Sequence, residues 1–342
     1  MLLGAQSIGF KECPVIIGTG NIVGTKEGEG PLRELFDVVG EDDYFGEQTW
    51  EAAESNLQKE AVTIALRKAG KKPEELRYLF AGDLLGQNIA SSFGLESFQI
   101  PLFGLYGACS TCGEALSLAS AMVSAYGGYA GAVTSSHFAS AERQFRTPLE
   151  YASQRPLSAT WTVTGSGAYV LGPWAKEHSN PKALAKISGI TTGKIVDYGV
   201  KDAMNMGAAM APAAADLIVA NFKDFKRAPK DYDLIVTGDL GEVGKKIVID
   251  LVRERGYDIE DKHRDCGMLM YDGEDQGTGS GGSGCGCAAT VLSAFFLPRL
   301  QKGILKRILF IPTGALLSPI SFNEGQSVPG IAHGVVIEHI GG

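Results

Sequence analysis

The feature that most constrains this chain is that it repeats itself. Leu79–Gly86, reading LFAGDLLG, is echoed by Ile235–Gly244, reading IVTGDLGEVG, so Asp83 and Asp239 fall at the same place in two segments. Each segment is followed by a cysteine at the mouth of a small-residue helix, Cys109 before Glu114–Tyr126 and Cys285 before Ala288–Leu297. Thr134 lies 25 residues beyond Cys109, and Ile311 lies 26 beyond Cys285. Self-similarity at a fixed offset is the mark of a repeated architecture. Helices are expected over Gln48–Lys68, Ala213–Asn221 and Lys245–Arg255 as well, with Pro298 stopping the helix that ends at Leu297. Strands are expected over Arg77–Ala81, Gly131–Thr134, Ala168–Leu171, Tyr232–Thr237, Ile308–Pro312 and Gly334–Glu338. The alternation breaks at Gly172-Pro173, dividing the chain into halves of residues 1–172 and 173–342. Such a pattern gives an α/β fold of mixed, mostly buried sheets between helices. Ligands in such folds sit beyond the carboxyl ends of strands, where the Gly-Asp and Gly-Cys turns lie.

Charge removes whole classes of function. With 31 basic and 39 acidic residues the net charge is −8, which argues against nucleic acid as a partner and against electrostatic docking on anionic lipid. Six cysteines in 342 residues are too sparse for a disulfide scaffold, so reduced thiols are expected. Met1-Leu2-Leu3-Gly4 lacks the basic and apolar regions of a signal peptide. Ala115–Ala141 carries no Asp, Glu, Lys or Arg, but its serines and Gly127-Gly128 read as a buried helix, a turn and a buried strand rather than a membrane span.

The sharpest chemical signal is Tyr106–Ser117, YGACSTCGEALS. A cysteine between a strand and a helix has its thiolate favoured by free amides and the helix dipole, which is how a nucleophile is made. The same spacing also fits a buried structural cysteine. Cys109-x-x-Cys112 with Cys285-x-Cys287 offers four thiols to zinc or to a redox pair, yet each pair runs straight into an apolar helix rather than a knuckle turn.

These segments resemble the thiolase superfamily. Ala108-Cys109, with Ala115–Ala119 (ALSLA) beginning six residues after the cysteine, matches the acyl-accepting motif of β-ketoacyl synthases, and Val163–Leu171 resembles the segment closing their N-terminal half. The resemblance implies a duplicated sandwich with two mixed five-stranded sheets. It also implies missing parts. Condensing relatives carry a His after the strand equivalent to Leu234–Val236, where Thr237-Gly238-Asp239 stand here. Their Asn loop has Cys285 in its frame, and Ser283 is the nearest match to the thiolase loop His.

Longer runs, Gly30–Asp37, Glu142–Pro156, Met206–Asp216, Thr313–Pro319 and Ile331–Val336, resemble the stage V sporulation protein AD family of endospore-forming bacteria. That resemblance implies a non-enzymatic protein that binds dipicolinic acid, with calcium as the ligand's escort and no cofactor of its own. It implies dipicolinate uptake into the forespore, its release in germination, and membrane-protein partners encoded in the same operon. It also implies peripheral attachment to the spore inner membrane, and a homodimer, for which Gly131–Thr134 suits close sheet continuation. The alternative is a condensing or acyl-transfer enzyme using Cys109. A dipicolinate site wants a flat slot and groups for two carboxylates. The residues expected there are Asp83, Cys109, His137, Arg143, Arg146, Ser283, Gly284 and His333, with the Gly281–Gly286 loop as an amide nest. For each a structural role is the competing reading. Asp83 suits a turn cap, His137 a bonded core histidine, and Arg143 and Arg146 ion pairs with Glu142 or Glu150.

Overall fold

The computed structural model describes residues 1–145 and 154–341, so Arg146 and Glu150 lie outside the described residues. Ten strands form the spine of a fourteen-stranded mixed sheet: β1 (Val15–Val23), β2 (Leu76–Gly82), β3 (Leu102–Leu105), β4 (Tyr129–Ser136), β5 (Gly165–Gly172), β6 (Ala185–Thr192), β7 (Leu234–Thr237), β8 (His263–Asp265), β9 (Arg307–Ile311) and β10 (Gly330–Glu338). Their order is β3-β2-β4-β5-β1-β6-β10-β9-β7-β8. Read outward from the middle, β1-β5-β4-β2-β3 and β6-β10-β9-β7-β8 are the same arrangement. In each run the inner pairs are antiparallel and the outer pairs parallel. The two five-stranded sheets expected from the sequence are present as two runs joined by a short contact, Ala185 with Ile16 and Lys186 with Val15.

The helices are α1 (Trp50–Ala69), α2 (Ile89–Leu95), α3 (Thr111–Tyr126), α4 (Phe138–Phe145), α5 (Met206–Phe225), α6 (Gly241–Glu254) and α7 (Cys285–Val291). The Thr49 hydroxyl caps α1 at the Ala52 amide, and Gly70 ends it at φ +66°. Helix α1 lies so close on β1 that a Cβ at Gly20 would come within 2.4 Å of the Ala61 carbonyl, so only glycine fits. Helices α1 and α5 cover the outer faces of the two runs. Helix α3 packs on β4 and β10, and α7 on β5 and β4, so both cysteine-bearing helices fill the layer between them. Their first turns meet there, which is what brings the two halves' loops to one place.

Three expectations need correction. Helix α7 does not stop at Pro298. It passes through a π turn, Leu292–Phe296, and resumes over Leu297–Gln301, where Pro298 sits in a first turn that needs no amide from it. Strands β1 and β6, which the sequence reading omits, are the middle of the sheet. The Gly131–Thr134 segment lies in β4, hydrogen-bonded to β2 on one side and β5 on the other, so it has no edge with which to continue a sheet into a partner. Ala115–Ala141 runs through α3, the Gly127-Gly128 turn and β4, and among the described residues no helix is long and apolar enough to cross a membrane.

Candidate functional site

The turn from β3 into α3 is clamped by its own side chains. The Ser110 hydroxyl donates to the Gly107 carbonyl (2.6 Å), the Thr111 hydroxyl to the Ala108 carbonyl (2.6 Å), and the Gly107 amide to Thr111 (3.0 Å). Ala108 is forced to φ +51°, a left-handed conformation that L-residues disfavour and that neighbouring contacts must hold. This presents Cys109, 7% exposed, just ahead of α3.

Across from it, β7 ends and the chain turns through Gly238 to Asp239, 1% exposed. The Asp239 carboxylate accepts the Gly284 amide (3.0 Å) and the Thr313 hydroxyl (2.9 Å), and the nearby Cys109 thiol favours its charged form. Burial, and then the nearby Asp265 carboxylate, push its pKa up to about 7. Asp265 is itself raised by burial, although it accepts the Thr237 hydroxyl (2.6 Å) and the amides of Leu240 (2.8 Å) and Gly241 (3.1 Å). Two neighbouring buried carboxyl groups therefore stand behind the thiol.

The cavity at Cys109 measures about 30 Å³ and is lined by Leu84, Ala141, Phe145, Ser283 and Gly284 among others. That is room for about one water. Of the expected set, the structure brings Cys109, Ser283 and Gly284 together there.

The others are elsewhere. Asp83 is fully buried beneath the turn, accepting the amides of Leu85 (2.8 Å) and Ser91 (2.9 Å) and the Ser91 hydroxyl (2.7 Å), so its oxygens are spent on holding that turn. Gln58 links Ser91 to Ser135, and Ser135 donates to the buried Glu54. Burial raises both acids, and the Asp83 carboxylate raises Glu54 further. His137 bonds the Asp43 carbonyl through Nε2 (2.7 Å) and accepts the Ala139 amide at Nδ1 (3.2 Å), which makes it a neutral cap for α4. Arg143 pairs with Glu51, not with Glu142. Glu142 instead pairs with the half-hidden Arg155 at 2.9 Å. His333, its pKa lowered to about 4 by burial, faces α3 at Gly113 and does not line the Cys109 cavity. The Gly281–Gly286 loop is not an open nest either: the Gly284 amide goes to Asp239 and the Gly286 amide to Ser136 (3.2 Å). Asp239 is the residue that sequence reasoning placed in a turn and left out of the site. The signal was present in the sequence, where Thr237-Gly238-Asp239 stand after the strand at which condensing relatives carry their His.

The fold defines the class. The chain is thiolase-like: it aligns with OleA of Xanthomonas campestris at TM-score 0.60 and 15% identity, covering 97% of this chain and all of that one. It aligns with 3-oxoacyl-[acyl-carrier-protein] synthase III of Aquifex aeolicus at TM-score 0.55 and 14% identity, covering 95% and 99%. At such identities the likeness concerns the fold alone. Residues 4–338 match the family model for stage V sporulation protein AD, and the chain belongs to that family. It is 44% identical to stage V sporulation protein AD of Bacillus subtilis over 344 residues, spanning 100% of this chain and 99% of that protein.

Proposed function

We propose that this chain is a non-enzymatic binding protein of the sporulation apparatus. It takes dipicolinate, with calcium as the ligand's escort, for uptake into the forespore and release in germination. The observation that carries the non-enzymatic part is Cys285, which stands in the frame of the relatives' Asn with its thiol donated to the Ser135 carbonyl at 2.8 Å. Condensation needs a donor to stabilise the oxyanion and a poised nucleophile. A thiol committed to a carbonyl gives an oxyanion no donor, and the cavity of about 30 Å³ at Cys109 has room for about one water. The sporulation role is supported by family membership, and the ligand is what the sequence resemblance to that family implies. Calorimetric titration of the purified chain with dipicolinate, with and without calcium, should give a saturable heat. Absence of any heat under both conditions would sink this reading.

The same reading has the protein peripheral on the spore inner membrane, held by the other proteins of its operon rather than by insertion. A homodimer belongs to the proposal, moved from β4 to β3. Strand β3 ends the sheet and leaves Leu102 and Phe103 exposed, with Phe103 47% exposed and stacked on Phe80 at 5.0 Å. A free apolar edge is a template for pairing. Light scattering should report twice the chain mass of 36.1 kDa for the wild type and a single chain for Phe103→Lys. A wild-type protein that scatters as one chain contradicts the dimer.

A further inference from the structure

We propose that the cleft beside β1 is a docking site for the carboxyl-terminal end of a partner polypeptide, bound as a short strand antiparallel to β1 with its free carboxylate at Lys182. The duplicated fold shows what such an edge takes. Strands β1 and β6 touch only at Ile16 with Ala185 and Val15 with Lys186, and beyond that contact the sheet splits. Each strand is irregular just before a glycine, at Ile16/Gly18 against β5 and at Ile187/Gly189 against β10. Gly18, Thr19 and Gly20 therefore correspond to Gly189, Ile190 and Thr191.

In the second half that edge is covered. The segment Ser7–Gly9 lies antiparallel along β6 and pairs with Gly189, Ile190 and Thr191. In the first half Val38–Val39 covers only Ile22 and Val23, and among the described residues no strand pairs with Gly18–Gly20 on that side. The Asn21 amide donates to Asp37 (3.1 Å), away from β5, and the alternation of an antiparallel ladder turns the Thr19 amide and carbonyl the same way. An unpaired stretch of this kind is a template for another strand.

A cavity of about 430 Å³ follows this edge, lined by Gly18, Thr19, Asn21, Leu35, Lys182 and Ser293 among others, and it shares no lining residue with the cavity at Cys109. Its floor is fixed by hydrogen bonds: the Asn21 side chain donates to the Ser293 hydroxyl (2.7 Å), which also bonds the Thr19 hydroxyl (2.8 Å). Ser293 sits in the π turn, an irregularity frequent at functional positions. The cleft closes where the Leu184 amide meets the Ile16 carbonyl at 2.8 Å, so a strand antiparallel to β1 reaches its carboxyl end there and cannot run on in line. Lys182, just before Leu184, forms no ion pair among the described residues, whereas Lys68 in the same lining is held by Asp37 at 2.5 Å. The surplus positive charge at the closed end matches a terminal carboxylate.

The test selects short random peptides with free carboxyl ends on the full chain, counter-selected on Leu35→Trp, which fills the cleft from an exposed position. Peptides enriched on the wild type should lose about tenfold in affinity when the carboxylate is capped as an amide. Lys182→Glu should lose as much and keep the wild-type thermal midpoint. Methylating the peptide nitrogen that faces the Thr19 carbonyl should abolish binding, while methylating the next nitrogen should not, which is the period of a strand. Hydrogen exchange over Ile17–Asn21 should slow in the complex. If no peptide is enriched on the wild type over Leu35→Trp, or if enriched peptides bind equally well as amides and leave exchange over Ile17–Asn21 unchanged, the proposal is overturned.

Discussion

Asp239→Ala is expected to cost about 2 kcal/mol or more of folding stability at pH 5, since each buried donor left unsatisfied costs about 1–3 kcal/mol. Two buried donors would lose their acceptor at once: the Gly284 amide and the Thr313 hydroxyl. Water cannot fully replace the carboxylate for both, because the adjoining cavity is only about 30 Å³. Asp239→Asn keeps one carbonyl oxygen and should cost less. It also isolates the pH dependence. The folded pKa is about 7, above the ordinary value of about 3.9. Between these values the folded state keeps a proton that the unfolded state has released. Stability therefore falls as pH rises from about 4 to about 7, by up to about 1.4 kcal/mol per unit. Glu27, raised to about 7 mainly by burial, adds a slope of the same sign. Denaturant unfolding across this range should give a shallower profile for Asp239→Asn than for the wild type. Identical profiles would show that Asp239 does not titrate as described.

Much of this fold was legible because its signals are local and doubled. The Gly-Asp turns, the small-residue helices and the Gly172-Pro173 break each mark an element end with a steric cause. Strands β1 and β6 escaped because both are buried in the middle of the sheet, where polar alternation disappears and glycines such as Gly18 and Gly20 serve helix contact rather than turns. Pro298 misled because its cost depends on whether an amide is needed, which the π turn decides. The site was harder to read. Cys109, Ser283 and Gly284 do converge, since the frame of the repeat brings two loops to one layer. His137 and Arg143 had chemistry without address: their partners, the Asp43 carbonyl and Glu51, lie 94 and 92 residues away in the chain. Asp239 resembled Asp83 in sequence, yet one faces a thiol and the other only its own turn.

The second large effect concerns catalysis. A positioned acid or base is worth about 10²–10⁴ in rate, and one oxyanion donor about 10²–10³. Here Thr237-Gly238-Asp239 stand after the strand where the relatives carry their His, and none of them supplies an imidazole to a developing oxyanion. The frame of their Asn holds Cys285, whose thiol is turned to the Ser135 carbonyl at 2.8 Å and pushed up in pKa by burial. Turnover should thus lie at least about four orders of magnitude below a competent condensing site. Intact-protein mass spectrometry after incubation with acetyl-coenzyme A and a malonyl donor, with product analysis of the same mixture, tests this most directly. The account predicts an unmodified chain and no ketoacyl product. A stable acyl group on Cys109 accompanied by turnover would contradict it.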